Sequence, residues 1–120
     1  MKEEVIPILR TRNAATAVAW YSRLGFVQEW EHRFAAGLPA FVSVVRAYAM
    51  GHSAADDGMR LFLSEHAGDA RPDTLIYLRL LNVEEVAAEF GAQIEDAPWA
   101  REIELRDPDG NRIRVGTPTS

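Results

Sequence analysis

The chain has 120 residues, 48% of them hydrophobic and 26% charged, with a formal net charge of −5 and no cysteine. This composition is typical of a globular domain and argues against a disordered chain. The acidic balance disfavours nucleic acid as a partner, and the lack of cysteine excludes disulfides and thiol chemistry. Residues 1–7 are too short and acidic for a signal peptide, and no apolar stretch reaches the roughly 20 residues that cross a bilayer, so we expect a cytoplasmic protein without a membrane partner.

The first half of the chain is predicted to form a strand, a helix and three more strands. The apolar residues 5–11 favour a strand, but Pro7 cannot donate a ladder hydrogen bond, so this strand is either a plain sheet edge or an arm that pairs with a second subunit. Asn13 is a typical N-cap for a helix that begins at Ala14, and Gly25 is a typical stop. Three strand patterns follow, at residues 26–34, 41–50 and 59–64. A polar turn at residues 51–58 separates the second from the third.

The second half is predicted to repeat this order. It contains a strand pattern, a helix pattern, a short strand and a closing hairpin, at residues 74–80, 83–90, 93–95 and 98–115. The hairpin turns at the sequence Asp-Pro-Asp-Gly-Asn, where Gly110 can take a positive φ angle. The pattern Leu-Arg-x-x-Asn ends at Asn13 in the first half and at Asn82 in the second, which indicates an internal duplication. We therefore predict one α+β domain over residues 1–120, built from two βαβββ modules at about residues 1–66 and 72–120.

The heptapeptide Trp-Tyr-Ser-Arg-Leu-Gly-Phe at residues 20–26 and the turn at residues 107–111 resemble signature motifs of the vicinal oxygen chelate superfamily, which includes glyoxalases, bleomycin resistance proteins and dioxygenases. The resemblance implies a curved mixed sheet, formed by the two βαβββ modules, around a cavity. Residues 98–111, which begin Pro-Trp-Ala-Arg-Glu, and residues 5–9 also resemble the bleomycin-binding resistance proteins of that superfamily. That branch implies a homodimer with an exchanged first strand and two equivalent grooves at the dimer interface.

Catalytic members of this superfamily use a divalent metal, and the resemblance places three of the ligand positions at Ile6, Leu75 and Arg114. Apolar side chains and a guanidinium cannot coordinate a divalent ion, which needs oxygen, nitrogen or sulfur donors. The three histidines lack the close spacing of a metal-binding cluster, at His32, His52 and His66. We therefore expect no metal, no other cofactor and no catalytic residue, and we favour binding over turnover.

The resemblance implies a groove lined by aromatic and acidic side chains. The residues that resemble groove positions of the bleomycin-binding branch are Trp99 and Trp30 with Glu29, and Phe34 and Tyr77 are further candidates. Stacked aromatic pairs add about 0.5–1.5 kcal/mol beyond burial, and a cation over an indole face adds about 0.5–2 kcal/mol. A tryptophan on a strand is also often a core residue, so Trp30 has an equally plausible structural role.

These patterns favour a metal-free protein that sequesters a planar, cationic glycopeptide antibiotic of the bleomycin type. Two alternatives stay open: a metal-dependent lyase or dioxygenase of the same superfamily, and a metal-free binder of another small planar metabolite or an interaction module. Five other residues are expected to be structural, through helix packing or cross-strand pairing: Arg10, Trp20, Arg79, Arg101 and Glu102.

Overall fold

The computed structural model describes residues 2–47 and 58–119, so His52 and nearly all of the predicted turn at residues 51–58 lie outside the described residues. The described elements are β1 (Ile8–Arg10), α1 (Ala14–Ser22), β2 (Val27–His32), β3 (Phe41–Arg46), β4 (Met59–Ser64), β5 (Leu75–Arg79), α2 (Val83–Phe90), β6 (Glu95–Asp96), β7 (Ala100–Arg106) and β8 (Arg112–Pro118). Within the described ranges, neither helix has the length and apolar character needed to cross a membrane.

The strands form two four-stranded sheets of the same design. Sheet one has the order β1-β4-β3-β2, and sheet two has the order β5-β8-β7-β6. In each sheet the first strand lies parallel to the last, while the other neighbours are antiparallel. The predicted α+β fold of two βαβββ modules is therefore confirmed.

The first strand is shorter than its apolar sequence predicts. β1 has three residues in place of the seven expected, and Val5 before it is 94% exposed. The carbonyl of Pro7 still accepts a hydrogen bond from the Phe62 N–H at 2.9 Å, but Pro7 has no N–H of its own. The ladder therefore begins only at Ile8, and residues 2–7 run on outside it.

Both sheets bury one face in a shared core. Alternate residues of the central strands point to the same side as the buried residues of the helices, among them Val42, Val44, Leu61 and Leu63 in sheet one and Ile103, Leu105, Ile113 and Val115 in sheet two. The Trp20 ring contacts Tyr21 of its own helix and Phe90 of α2, at centroid distances of 4.8 and 5.2 Å. Trp20 thus packs between the two helices. The face of each sheet that points away from this core is called its outer face.

The closing turn joins the two modules through a buried polar network. The Tyr21 hydroxyl of module one donates to Asp107 Oδ2 at 2.6 Å, and Asn111 Nδ2 donates to the same oxygen and to the Arg10 carbonyl. Asn111 Oδ1 accepts from the Thr74 N–H at 3.2 Å. Burial and the charge of Asp107 raise the pKa of Tyr21 far above its ordinary value, so its hydroxyl stays protonated and keeps donating.

The turn itself follows its sequence. Asp107 Oδ1 accepts from the backbone N–H groups of Asp109 and Asn111, both at 2.9 Å, and Gly110 has a φ of 84°. A residue with a side chain is disfavoured at that angle, so the predicted role of Gly110 is confirmed.

Candidate functional site

The outer face of sheet one carries one large apolar side chain from every strand. We call this surface the aromatic face; it consists of Ile8, Trp30, Phe41 and Phe62. Ile8, Phe62 and Trp30 lie in one cross-strand row that passes through Ser43, and Phe41 lies beside this row. The Trp30 ring stacks on Phe41 with an interplanar angle of 15°, and the Phe62 ring lies 5.5 Å from Trp30 and 5.2 Å from Phe41. Neighbouring strands are about 4.8 Å apart, so the row is about 14 Å long, enough for several fused or linked rings.

A β-bulge places Trp30 in this row. The register of β2 against β3 shifts between Gln28 and Trp30, which sets Trp30 opposite Ser43 and leaves Glu29 as the extra residue. Trp30 keeps 44% of its surface exposed although two phenylalanine rings contact it. The Trp30 ring is therefore partly packed and partly exposed, and its role in ligand binding stays a prediction.

The carboxylate of Glu29 lies beside the aromatic face but is already paired. Its Oε1 accepts from Arg60 Nε at 2.8 Å and from the Ser43 hydroxyl at 2.6 Å, and its Oε2 accepts from Arg60 Nη2 at 2.9 Å. These Arg60 bonds lower the pKa of Glu29. The side chains of Arg60 and Glu29 are only 12% and 17% exposed. The charge of Glu29 is thus compensated by Arg60, so this candidate groove residue offers little net charge to a cationic ligand.

Phe34 lies apart from the aromatic face. It follows β2, is 78% exposed, and its ring makes edge contacts with His32 at 4.8 Å and His66 at 6.4 Å. Among the described residues no ring contact joins Phe34 to Trp30, so a ligand that lies on the aromatic face reaches Phe34 only if it extends past the end of β2.

The outer face of sheet two holds the other two predicted aromatic residues around one carboxylate. The Tyr77 hydroxyl donates to Glu102 Oε2 at 2.8 Å, and the Trp99 indole Nε1 donates to the same oxygen at 2.6 Å. Trp99 is 65% exposed, so its ring is open to a ligand while its polar edge is fixed. Partial burial and the bond to Glu102 raise the pKa of Tyr77.

Glu102 is the residue that sequence reasoning missed. Its alternation in β7 places it on the outer face, but the strand registers are needed to see that Gly116 of β8 lies opposite it and that β5 lies beyond. The only sequence signal was its spacing, three residues after an exposed tryptophan. Arg101, by contrast, behaves as predicted: it pairs with Glu84 and with Asp96 on the neighbouring strand.

Arginines and glutamates predominate on the rest of this outer face, which also carries the half-exposed Leu75. We call its polar part the charged face; it consists of Tyr77, Arg79, Glu102, Glu104, Arg112 and Arg114. Glu104 accepts from Arg112 and Arg114 at 3.1 Å each, and their hydrogen bonds lower its pKa. The Arg79 guanidinium makes no hydrogen bond or ion pair with another described residue, whereas the Arg10 guanidinium donates to the carbonyls of Thr11 and Ser64. The repeated arginines therefore differ.

An open pocket of about 370 Å³ lies at the edge of the charged face. Its lining consists of Gln93, Glu95, Glu102, Ile103, Glu104 and Arg114. Three carboxylates and one guanidinium give it a net negative lining, which favours a cationic group.

The metal-ligand positions implied by the sequence do not fit a divalent ion. Leu75 and Arg114 lie on sheet two and Ile6 precedes β1, and none supplies a suitable donor. In residues 2–47 and 58–119, no three His, Asp or Glu side chains are grouped closely enough to hold a metal. His32 and His66 instead contact the Phe34 ring.

The structure brings Tyr77 and Trp99 together and keeps both apart from Glu29 and Trp30. The two groups lie on the outer faces of different sheets, and both sheets turn their other face to the shared core. One chain therefore presents two separate candidate surfaces, one aromatic and one charged.

A family model described as glyoxalase superfamily protein matches residues 1–119. The chain belongs to the glyoxalase superfamily. This confirms the superfamily that the motifs at residues 20–26 and 107–111 predicted. No curated protein matches the chain in sequence.

Several solved structures share the superfamily fold. TnmS3, an antibiotic binding protein from Streptomyces sp. CB03234, has 18% identity and a TM-score of 0.68, with 99% of both chains covered. A bleomycin-binding protein complexed with bleomycin has 20% identity and a TM-score of 0.59, with 97% of this chain and 98% of that chain covered. A bleomycin resistance determinant encoded on the transposon Tn5 has 21% identity and a TM-score of 0.58, with 99% and 100% covered. At these identities the likeness shows the fold alone.

Proposed function

We propose that this member of the glyoxalase superfamily binds a flat organic molecule with a cationic group and does not transform it, and that a glycopeptide antibiotic of the bleomycin type is such a ligand. The observation that carries the proposal is the exposed indole of Trp99, whose polar edge is fixed by the carboxylate of Glu102. An indole face attracts a cation by about 0.5–2 kcal/mol, and the carboxylate adds a direct charge interaction.

The aromatic face supports the other half of the proposal. Its row of rings offers an apolar surface for the planar part of the ligand, and the pairing of Glu29 with Arg60 keeps that surface close to neutral. In our proposal the rings of the ligand therefore bind to the outer face of sheet one, and its cationic group binds to the outer face of sheet two. The poor donor set at the metal-ligand positions favours this binding role over a metal-dependent lyase or dioxygenase.

A second copy of the chain would bring the two surfaces together. They lie on different sheets of one chain, so in our proposal the aromatic face of one subunit meets the charged face of its partner in a homodimer. The exposed residues 2–7 are the segment that we propose to be exchanged. Glu4 holds them to Arg60 at 3.1 Å, outside the ladder, and the end of β1 is fixed to its own chain at Asn111.

Titration of the purified protein with bleomycin tests this function. We expect quenching of tryptophan fluorescence, a higher melting temperature, and a drug whose mass is unchanged after release. Trp99→Phe is expected to weaken binding and to lose the Trp99 share of the quenching, while the Trp30 share remains. Trp20→Phe is the matched control. Trp20 packs between the helices, so its substitution is expected to leave ligand binding intact. Unchanged fluorescence and unchanged melting with bleomycin would refute the proposed ligand, and a panel of other planar cations then tests the wider class.

Sedimentation equilibrium tests the dimer separately. We expect the full chain to sediment as a dimer and a variant that lacks residues 2–6 to dissociate more readily. A full chain that stays monomeric at high concentration, with or without bleomycin, would contradict the shared cleft.

A further inference from the structure

The phenol ring of Tyr77 occupies the space that a side chain at position 116 would need. A Cβ atom added to Gly116 would lie 1.8 Å from the Tyr77 hydroxyl oxygen and 2.7 Å from Cζ. Heavy atoms in contact cannot approach that closely, so the ring and any side chain at position 116 exclude each other. Gly116 sits in the middle of β8, paired with Arg79 on one side and Glu102 on the other, and has no positive φ angle that would require glycine.

The reason for this close approach lies in the sheet order. Tyr77 belongs to β5 and Glu102 to β7, and β8 lies between them. The Tyr77 side chain must therefore cross β8 to donate to Glu102 Oε2 at 2.8 Å, and it crosses directly above Gly116. A glycine in a strand interior weakens the strand and marks a place where another group approaches closely.

The hydrogen bond that results fixes the carboxylate. Tyr77 and Trp99 both donate to Oε2 of Glu102, which leaves Oε1 without a hydrogen bond from the described residues. If the Tyr77 bond is lost, only the Trp99 indole holds the carboxylate, whose side chain then regains rotamer freedom.

We infer that Gly116 and Tyr77 are positioning residues for ligand binding: glycine at position 116 lets Tyr77 span the sheet and hold Glu102, so that one carboxylate oxygen is kept free for a donor on the ligand while the other orients the Trp99 ring. This inference rests on the proposed function, because it assigns the cation to the surface formed by Trp99 and Glu102.

The test uses three variants, Gly116→Ala, Tyr77→Phe and the double variant. In the free protein, the indole N–H signal of Trp99 in a nitrogen–proton correlation spectrum reports its bond to Glu102. We expect this signal to shift in Gly116→Ala and in Tyr77→Phe, while the indole signals of Trp20 and Trp30 stay in place. Bleomycin affinity is expected to fall by up to about tenfold in each single variant, because the freed Glu102 side chain must be immobilised again when the ligand binds.

The double variant separates positioning from simple packing. If Gly116→Ala acts through the Tyr77 hydroxyl, the double variant loses no more affinity than either single variant. An additive loss, or an unmoved Trp99 signal in Gly116→Ala, would overturn the inference. Wild-type protein that does not bind bleomycin would instead refute the proposed ligand, and the Trp99 signal in the free protein would still decide the positioning role. Melting temperatures of all variants identify any that fail to fold.

Discussion

The two outer faces occupy corresponding places in repeated sheets but carry opposite chemistry. Phe62 lies between Ile8 and Ser43 in sheet one, and Arg114 lies between Tyr77 and Glu104 in sheet two. On the inner faces the same strands keep apolar residues in both modules. Burial in a shared core constrains the inner positions, whereas the outer positions are free to acquire different binding properties.

The carboxylates show the same divergence. In sheet one the acid is neutralised: Glu29 is held by Arg60 and Ser43, and its side chain is mostly buried. In sheet two Glu102 is held by uncharged donors beside the exposed Trp99, and no cation among the described residues forms an ion pair with it. The comparison therefore predicts that the charge recognition lies on sheet two and the ring recognition on sheet one. Four measurements test the differences between the two modules.

The largest effect is expected at the part that both modules share. Asn111 is fully buried, and its side chain joins the Arg10 carbonyl, the Thr74 N–H and Asp107. Asn111→Ala removes three hydrogen bonds, one buried and two partly buried, so we expect a loss of about 3 kcal/mol in the free energy of unfolding. Denaturant unfolding measures it. A loss below about 1 kcal/mol would show that the modules do not depend on this network.

The next effect compares an ion-paired glutamate of sheet one, Glu29, with an ion-paired glutamate of sheet two, Glu104. Glu29→Ala removes the hydrogen bonds of Glu29 with Arg60 and Ser43 in a mostly buried place, so we expect a loss of about 2 kcal/mol in the free energy of unfolding. Glu104→Ala removes a more exposed pair with Arg112 and is expected to change stability by less than about 0.5 kcal/mol. Equal losses in urea unfolding would contradict the contrast between a mostly buried ion pair on sheet one and more exposed ion pairs on sheet two.

A third test compares two tyrosine–carboxylate pairs. Tyr21 with Asp107 is buried between the modules, and Tyr77 with Glu102 lies on the outer face. Since the folded protein raises the pKa of Tyr21, its contribution is fully present below the ordinary tyrosine pKa of about 10 and is lost as the pH rises above it, by up to about 1.4 kcal/mol per pH unit. Melting temperatures between pH 8 and 11 should therefore fall more steeply in wild type than in Tyr21→Phe. Parallel curves would show that Tyr21 carries no such coupling, and Tyr77→Phe serves as the exposed control.

Sequence patterns predicted the fold better than the site. The repeat, the Asn13 cap and the Gly110 turn depend on local residue chemistry, and each agrees with the structure. The length of β1 is overestimated by the sequence pattern. Residues 5–7 are apolar and favour a strand, but Pro7 lacks an N–H, and the ladder begins only after it, at Ile8. Glu102 and Gly116 could not be assigned from sequence, because their roles arise from a side chain that crosses a strand between two others.

The same limit applies to the repeated asparagines, which give the smallest prediction. Asn13 Oδ1 accepts from the Thr16 N–H at 3.0 Å and caps α1. Asn82 makes no such cap: its Oδ1 accepts from Arg46 at 3.1 Å, and the Thr117 hydroxyl accepts from the Val83 N–H at the start of α2.

Asn13→Ala should therefore cost about 1 kcal/mol, the usual value of an N-cap. Asn82→Ala should cost less, about 0.5 kcal/mol, because it removes one partly exposed bond to Arg46 and leaves the Thr117 contact in place. Thr117→Val is the matched test of the substitute cap and should cost more than Asn82→Ala. If Asn82→Ala lowered the free energy of unfolding more than Thr117→Val, α2 would depend on the repeated asparagine after all. The modules would then differ only in their outer faces.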